Sequence, residues 1–192
     1  MNEPLLMQNQ EGALNQDTFA QQEFINLKNK FGLKYAIETG TCLGYTTDFL
    51  CDNYKKVHTI EISEKYLNFA LHNRLNKRDN VLVYIGSSAD TLFKMIKDLP
   101  EQENIFIFLD AHWGHHCPLK EELKQIKETG IHDFVVPNKP QLGFDSIKGQ
   151  PFNYEWLKDD FDSIYGEEGY DYYYNSESVG AKRGIIYITP KN

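Results

Sequence analysis

Tyr35-Ala36-Ile37-Glu38-Thr39-Gly40-Thr41-Cys42-Leu43-Gly44-Tyr45-Thr46-Thr47 is the stretch on which the fold turns. A short apolar run suited to a strand ends at an acid and a glycine loop, and Tyr45 to Tyr54 then has the pattern of a helix. Val57 to Ile62 follows as a second strand. Strand, helix and strand within about 30 residues describe a parallel pair joined by a crossover. Gly40 allows a tight turn and close backbone approach, and Gly44 lets the next helix pack near the strand. The spacing is not GxGxxG, and an ordinary strand-to-helix turn can look the same, so this loop decides little without company.

The company lies on both sides. Upstream, Ala20, Phe24, Leu27 and Phe31 recur on one helical face, predicting a helix from Asp17, its N-cap, to Phe31. Downstream, Ser63 caps a helix to about Asn76, Val81–Ile85 is a third strand and Asp90–Asp98 a short helix. Ile105–Leu109 is a fourth, fully buried strand, and Leu119, Leu123 and Ile126 mark another helix. Strands alternating with helices specify an α/β fold, a mostly parallel sheet with helices on both faces. The C-terminal third changes character. Residues 137–150 are rich in Pro and Gly, Phe152–Ile164 can be helical, and Tyr170–Tyr174 with Ile185–Thr189 can close the sheet as an antiparallel pair. The expected organisation is a polar segment over 1–16 and one domain over 17–192.

Composition narrows the function classes. With 192 residues, one domain is expected. Twenty Lys and Arg against 28 Asp and Glu leave a net charge of −8, which disfavours a broad basic face for nucleic acid. The run Ile105–Leu109 is far short of the roughly 20 residues of a membrane span. Met1-Asn2-Glu3-Pro4 carries an acid where a secretory signal carries positive charge. Cys42, Cys51 and Cys117 are odd in number and form no CxxC pair, which suits a reducing, cytoplasmic setting. The 12 tyrosines, four of them in Tyr170–Tyr174, read as half-buried strand.

In an open parallel sheet the ligand lies beyond the carboxyl ends of the strands. Glu61 ends the second strand about 20 residues after the glycine loop, where an acid can accept both hydrogen bonds of a ribose diol. Gly86-Ser87-Ser88-Ala89-Asp90 follows the third strand, with small polar groups that can line an adenine edge, although Ser88 and Asp90 are equally plain helix caps. Phe108-Leu109-Asp110-Ala111-His112-Trp113 ends the fourth. Together these loops resemble the class I S-adenosylmethionine-dependent methyltransferases, most closely the catechol O-methyltransferase type, over residues 35–115 in register. The resemblance implies a Rossmann-like methyltransferase fold of seven strands, with a cofactor-binding half over about 33–115 and a substrate half over about 116–192. By that resemblance Glu38, Gly40, Thr41, Cys42 and Gly44 surround the methionine part of S-adenosylmethionine, with Thr46 or Thr47 at its carboxylate. Glu61 holds the ribose, Ser88 and Ala89 meet the adenine, and Asp110 and Trp113 or His112 close the site from the fourth loop.

The resemblance also implies a divalent metal, Mg, Mn or Fe, bound by Asp110 and by Asp133 after the fifth strand; His112 and His132 are additional candidate ligands, the alternative being that Asp110 bonds backbone or cofactor groups and the histidines are solvated loop residues. A hard cation on a substrate oxygen lowers its pKa and so eases its attack on a methyl group. Three departures stand out. Ala111 is inserted into the Asp-His-Trp-Lys motif, and Gly114 stands where the lysine base would be, leaving His112 or His116 for that role. His132-Asp133 is preceded by Lys127-Glu128-Thr129-Gly130-Ile131, too polar for a fifth strand, so that strand is either Phe134-Val135-Val136 or missing. Pro137 to Gly149 is long enough for a substrate lid, and Lys182-Arg183 can meet an anion or simply sit in a solvated turn. The expected activity is O-methylation of a small molecule by a monomer or homodimer. The competing readings are a metal-dependent hydroxylase of the cephalosporin-hydroxylase type and an S-adenosylmethionine-binding protein without catalysis.

Overall fold

The computed structural model describes residues 12–100, 104–112, 116–130, 153–174, 177 and 185–191, and the backbone of 134–138. Five strands run parallel: β1 (Tyr35–Thr39), β2 (Lys56–Glu61), β3 (Val81–Ile85), β4 (Ile105–Leu109) and β5 (Phe134–Asn138). β6 (Tyr170–Tyr174) and β7 (Ile186–Pro190) complete the sheet, in which β7 is antiparallel to both β5 and β6. The strand order is β3-β2-β1-β4-β5-β7-β6. The chain therefore reverses its direction of winding between β1 and β4, which opens a crevice at their carboxyl ends.

Among the described residues six α-helices cover the sheet: α1 (Thr18–Phe31), α2 (Tyr45–Asn53), α3 (Glu64–Asn73), α4 (Ser88–Lys97), α5 (Leu119–Thr129) and α6 (Tyr154–Tyr165). Their starts follow local chemistry. The Asp17 side chain accepts from the Ala20 amide at 3.0 Å, Asn153 accepts from Trp156 at 3.0 Å, and Ser63 accepts from Tyr66 at 3.4 Å. Period-2 alternation sorts β1 and β4 between two cores. Tyr35, Ile37, Ile105, Ile107 and Leu109 join the apolar faces of α4, α5 and α6. Ala36, Phe106 and Phe108 join α1 and α2 on the other side.

One expectation changes and one open alternative is decided. α4 begins at Ser88 instead of Asp90, because Ser87 is the residue with extended backbone that precedes the helix, so Ser88 and Ala89 belong to its first turn. The fifth strand is formed after the acid: β5 starts at Phe134, opposite Ile105, and ends at Asn138, opposite Leu109.

Candidate functional site

The carboxyl ends of β1, β2 and β4 converge on the loop from Gly40 to Gly44. Gly40 has φ +87°, and a Cβ there would lie 3.0 Å from the Asp110 carbonyl oxygen and 3.2 Å from Ala111 Cα. Only glycine lets the first loop press so closely on the fourth. Gly44, at φ +79°, is tight for another reason: its missing Cβ would meet that of Ala70 at 3.0 Å, so it admits α3 against α2, not α2 against the strand.

Glu61, the acid expected to hold a ribose, ends β2 and is 7% exposed. Its two carboxylate oxygens accept from different amides, one from Cys42 at 2.8 Å and one from Ser63 at 2.9 Å. Cys42 adopts the left-handed φ of +49° that turns its amide to this carboxylate. Each oxygen keeps a further lone pair, so the group is held in place without being used up. Burial pushes the Cys42 thiol up to about 12, and the Glu61 charge adds to the rise, so the thiol stays protonated and is no nucleophile.

Glu38 departs from its expected place. Strand alternation sends it into the α2 layer, where it is 1% exposed and accepts at one oxygen from Thr47 at 2.5 Å and Thr59 at 2.8 Å. Thr59 spends its only proton on Glu38, so Thr41, 2.6 Å away, donates to Thr59. Burial pushes Glu38 up to about 8; the Thr47 and Thr59 hydroxyls pull it down, and the charges of Asp110 and Glu61 push it further up. Glu38 and Thr47, both buried, thus brace the Gly40 loop from behind. Thr46 does line the cleft, where its hydroxyl accepts from the Leu14 amide at 3.0 Å.

That contact comes from a turn over Ala13–Gln16 that spans the cleft. Leu14 is 2% exposed, and Leu14, Asn15 and Gln16 all have positive φ, between 52° and 62°. Between this turn and Gly40, Cys42 and Asp110 there remains about 70 Å³ of open space, room for one end of a ligand but not a whole nucleoside.

On the opposite layer Thr39 supports the fourth loop, its hydroxyl accepting from Asp110 at 3.2 Å and Ala111 at 3.3 Å. Beneath lies Glu122 of α5, 1% exposed, beside Thr39, Ser88 and Asp110. Burial pushes Glu122 up to about 7, against the pull of the Ser88 and Thr39 hydroxyls. One turn on, Gln125 donates to the Ser88 carbonyl at 3.1 Å and to that of Ala89, and accepts from Phe93 at 2.8 Å. Ser88 is 3% exposed and belongs to this buried support; Ala89 is half-buried at the start of α4. Glu122 and Gln125 were missed by the sequence reading. The signal was available, since Leu119, Glu122, Leu123 and Ile126 share one helical stripe.

Of the other expected residues, His112 and His116 are exposed and Asp110 is half-buried at the crevice. Trp113, His115, His132, Asp133, Lys182, Arg183 and the proposed lid from 139 onward lie outside the described residues. The resemblance puts its second carboxylate after the fifth strand, and the residues that end β5 here are Pro137-Asn138. His132 and Asp133 precede β5, whose first residue pairs with the first of β4, whereas Asp110 follows the last of β4. Among the described residues no group of three His, Cys, Asp or Glu side chains is arranged to hold a metal ion.

No protein-family model and no curated protein sequence matches the chain. Solved structures do. The O-methyltransferase from Bacillus cereus in complex with S-adenosylhomocysteine superposes with a TM-score of 0.67 at 22% identity, over 91% of this chain and 81% of that one. TomG from Streptomyces achromogenes, an O-methyltransferase involved in tomaymycin synthesis, in complex with S-adenosylmethionine, gives 0.62 at 16% identity over 90% and 80%. A Podospora anserina methyltransferase bound to S-adenosylhomocysteine gives 0.60 at 16% identity over 90% and 78%. The chain has the class I methyltransferase fold. Within that fold the switch between β1 and β4, where the Gly40 loop, Glu61 and Asp110 meet, is where a ligand is expected to sit.

Proposed function

We propose that the chain transfers the methyl group of S-adenosylmethionine to an oxygen of a small molecule. The observation that carries this reading is Glu61, fixed at the end of β2 by the Cys42 and Ser63 amides, with lone pairs left for a ribose diol. The O-methyltransferases of Bacillus cereus and Streptomyces achromogenes, crystallised with product and cofactor, support it. When bound, S-adenosylmethionine would supply a methyl group on a cationic sulfonium, open to in-line attack by an acceptor oxygen as the carbon–sulfur bond breaks and S-adenosylhomocysteine leaves.

The chain's own residues then divide the work. Glu61 orients the nucleoside, and the Gly40 loop, free of side chain where it meets Asp110, gives backbone access to the methionine end. Asp110 sets negative charge at the crevice, beside the place of a sulfonium. His112 or His116, exposed past β4, takes the acceptor's proton on an imidazole nitrogen. Asp110 would be one ligand of the resemblance's divalent ion, which would polarise the acceptor oxygen; among the described residues no group of three His, Cys, Asp or Glu side chains is arranged to hold it. The net charge of −8 favours a small acceptor over nucleic acid, and a cytoplasmic setting fits the three unpaired cysteines. No helix among the described residues is long and apolar enough to cross a membrane.

Calorimetry with S-adenosylmethionine and S-adenosylhomocysteine tests the reading. Both are expected to bind, and Glu61→Ala is expected to weaken them by about 1.5–3 kcal/mol, roughly 10- to 100-fold, the worth of charge-assisted hydrogen bonds. Absence of binding to either compound overturns the proposal.

A further inference from the structure

We propose that β3 is the seam of a homodimer, in which two copies of Val81–Ile85 pair antiparallel about a two-fold axis at Val83 and join two sheets into one. β3 stands at one end of the sheet order, with β2 on one side and no strand beyond it among the described residues. The helices nearest it, α3 and α4, pack chiefly over β1 and β2, and α4 reaches β3 at Tyr84, whose hydroxyl donates to Asp98. Leu82 and Ile85, on opposite faces of the strand, are 40% and 52% exposed. Natural edge strands are usually blunted by a charge, a proline or a bulge. Val81-Leu82-Val83-Tyr84-Ile85 has none of these; the other edge, β6, carries Asp171.

The occupant follows from donor parity and self-complementarity. The Val57 amide donates to the Asn80 carbonyl, and the Gly86 amide donates to the Glu61 carbonyl. Even-numbered residues of β3 therefore face β2, and Val81, Val83 and Ile85 turn their N–H and C=O groups outward. A two-fold axis at Val83 sets Val83 opposite itself and Val81 opposite Ile85, and every such pair exchanges two hydrogen bonds. Leu82 then falls opposite Tyr84 in a close, non-hydrogen-bonded pair, an aliphatic–aromatic contact of the kind that stabilises sheets. Just beyond the strands, Asn80 meets Gly86 and Asp79 meets Ser87, so no like charges oppose each other across the seam. A strand whose apolar residues and outward donors match their own reversal is built for a second copy of itself.

Sedimentation velocity of the full chain up to several hundred micromolar tests the seam. A concentration-dependent species of twice 22.4 kDa is expected. Val83→Pro removes an outward N–H while sparing the ladder to β2, and should return the chain to monomer at every concentration. Ile85→Lys, at an exposed position, should raise the association midpoint at least about tenfold by burying a charge against Val81. Tyr172→Lys, on the exposed side of β6, should leave it unchanged. Val83→Cys should cross-link to itself under mild oxidation above the background of the wild-type cysteines, because only that residue faces its own copy at a span a disulfide can bridge. A monomer at all concentrations overturns the proposal. So does an association that survives both β3 substitutions, or a Val83→Cys chain that does not cross-link.

Discussion

Glu38 and Glu61 end neighbouring strands, and both belong to the loops that suggested a cofactor. Glu61 closes β2, where the amides of Cys42 in the glycine loop and of Ser63 steady its carboxylate. Glu38 lies on the same face of the sheet but sits one residue short of the end of β1, which leaves it covered by α2 instead. The difference has a thermodynamic consequence. With Glu38 raised from 4.5 to about 8, the folded protein keeps a proton that the unfolded chain releases. The stability this provides is complete below the unfolded value and is lost as pH climbs through the folded one. The melting temperature should therefore fall between about pH 5 and 8. Glu38→Gln, which keeps an acceptor for Thr47 and Thr59, should flatten most of that fall. Glu122, raised to about 7, should supply the slope that remains. An unchanged slope in Glu38→Gln would show that the carboxyl is ionised in the folded state.

At the scale of elements, most of the architecture was legible because caps and periodicity act locally. Asp17 before the Ala20-Phe24-Leu27 stripe predicts the start of α1, and the structure shows its carboxylate on the Ala20 amide. Asp17→Ala should cost about 1 kcal/mol in chemical denaturation with no effect on ligand binding. β5 was harder to place. Lys127 to Gly130 are polar because they finish α5, and an acid that follows a helix looks locally like an acid that follows a strand. Only pairing with β4 settles that Phe134 begins the strand. Ser88 was legible as polar and small but not as buried, since what buries it is Glu122 and Gln125 of α5, over 30 residues away.

Across the whole molecule, the first helix and the last strand meet in one core. The Phe24 ring lies edge-on to Phe106 at 4.7 Å, Phe108 at 5.2 Å and Tyr187 at 6.4 Å, so α1, β4 and β7 share it. Phe24→Ala should cost about 3–5 kcal/mol, read from the denaturant midpoint, because three rigid neighbours cannot collapse into the space. Tyrosines that composition alone could not place divide between this layer and the sheet edge: Tyr173 stacks on Tyr187 at 5.0 Å, and Tyr154 on Tyr172 at 3.6 Å. By itself the sequence determined the alternating strands and helices, the positions of the turning glycines and the acid at the end of β2, because periodicity, φ preference and capping are set within a few residues. Tertiary structure decided that Glu38 is covered by α2, that Glu122 lies beneath the fourth loop, that β5 begins at Phe134, and that β3 has one strand neighbour among the described residues. Those outcomes depend on which strand pairs with which and which helix lies above. They are set by burial and by hydrogen bonds between residues far apart in the chain, which no local pattern encodes.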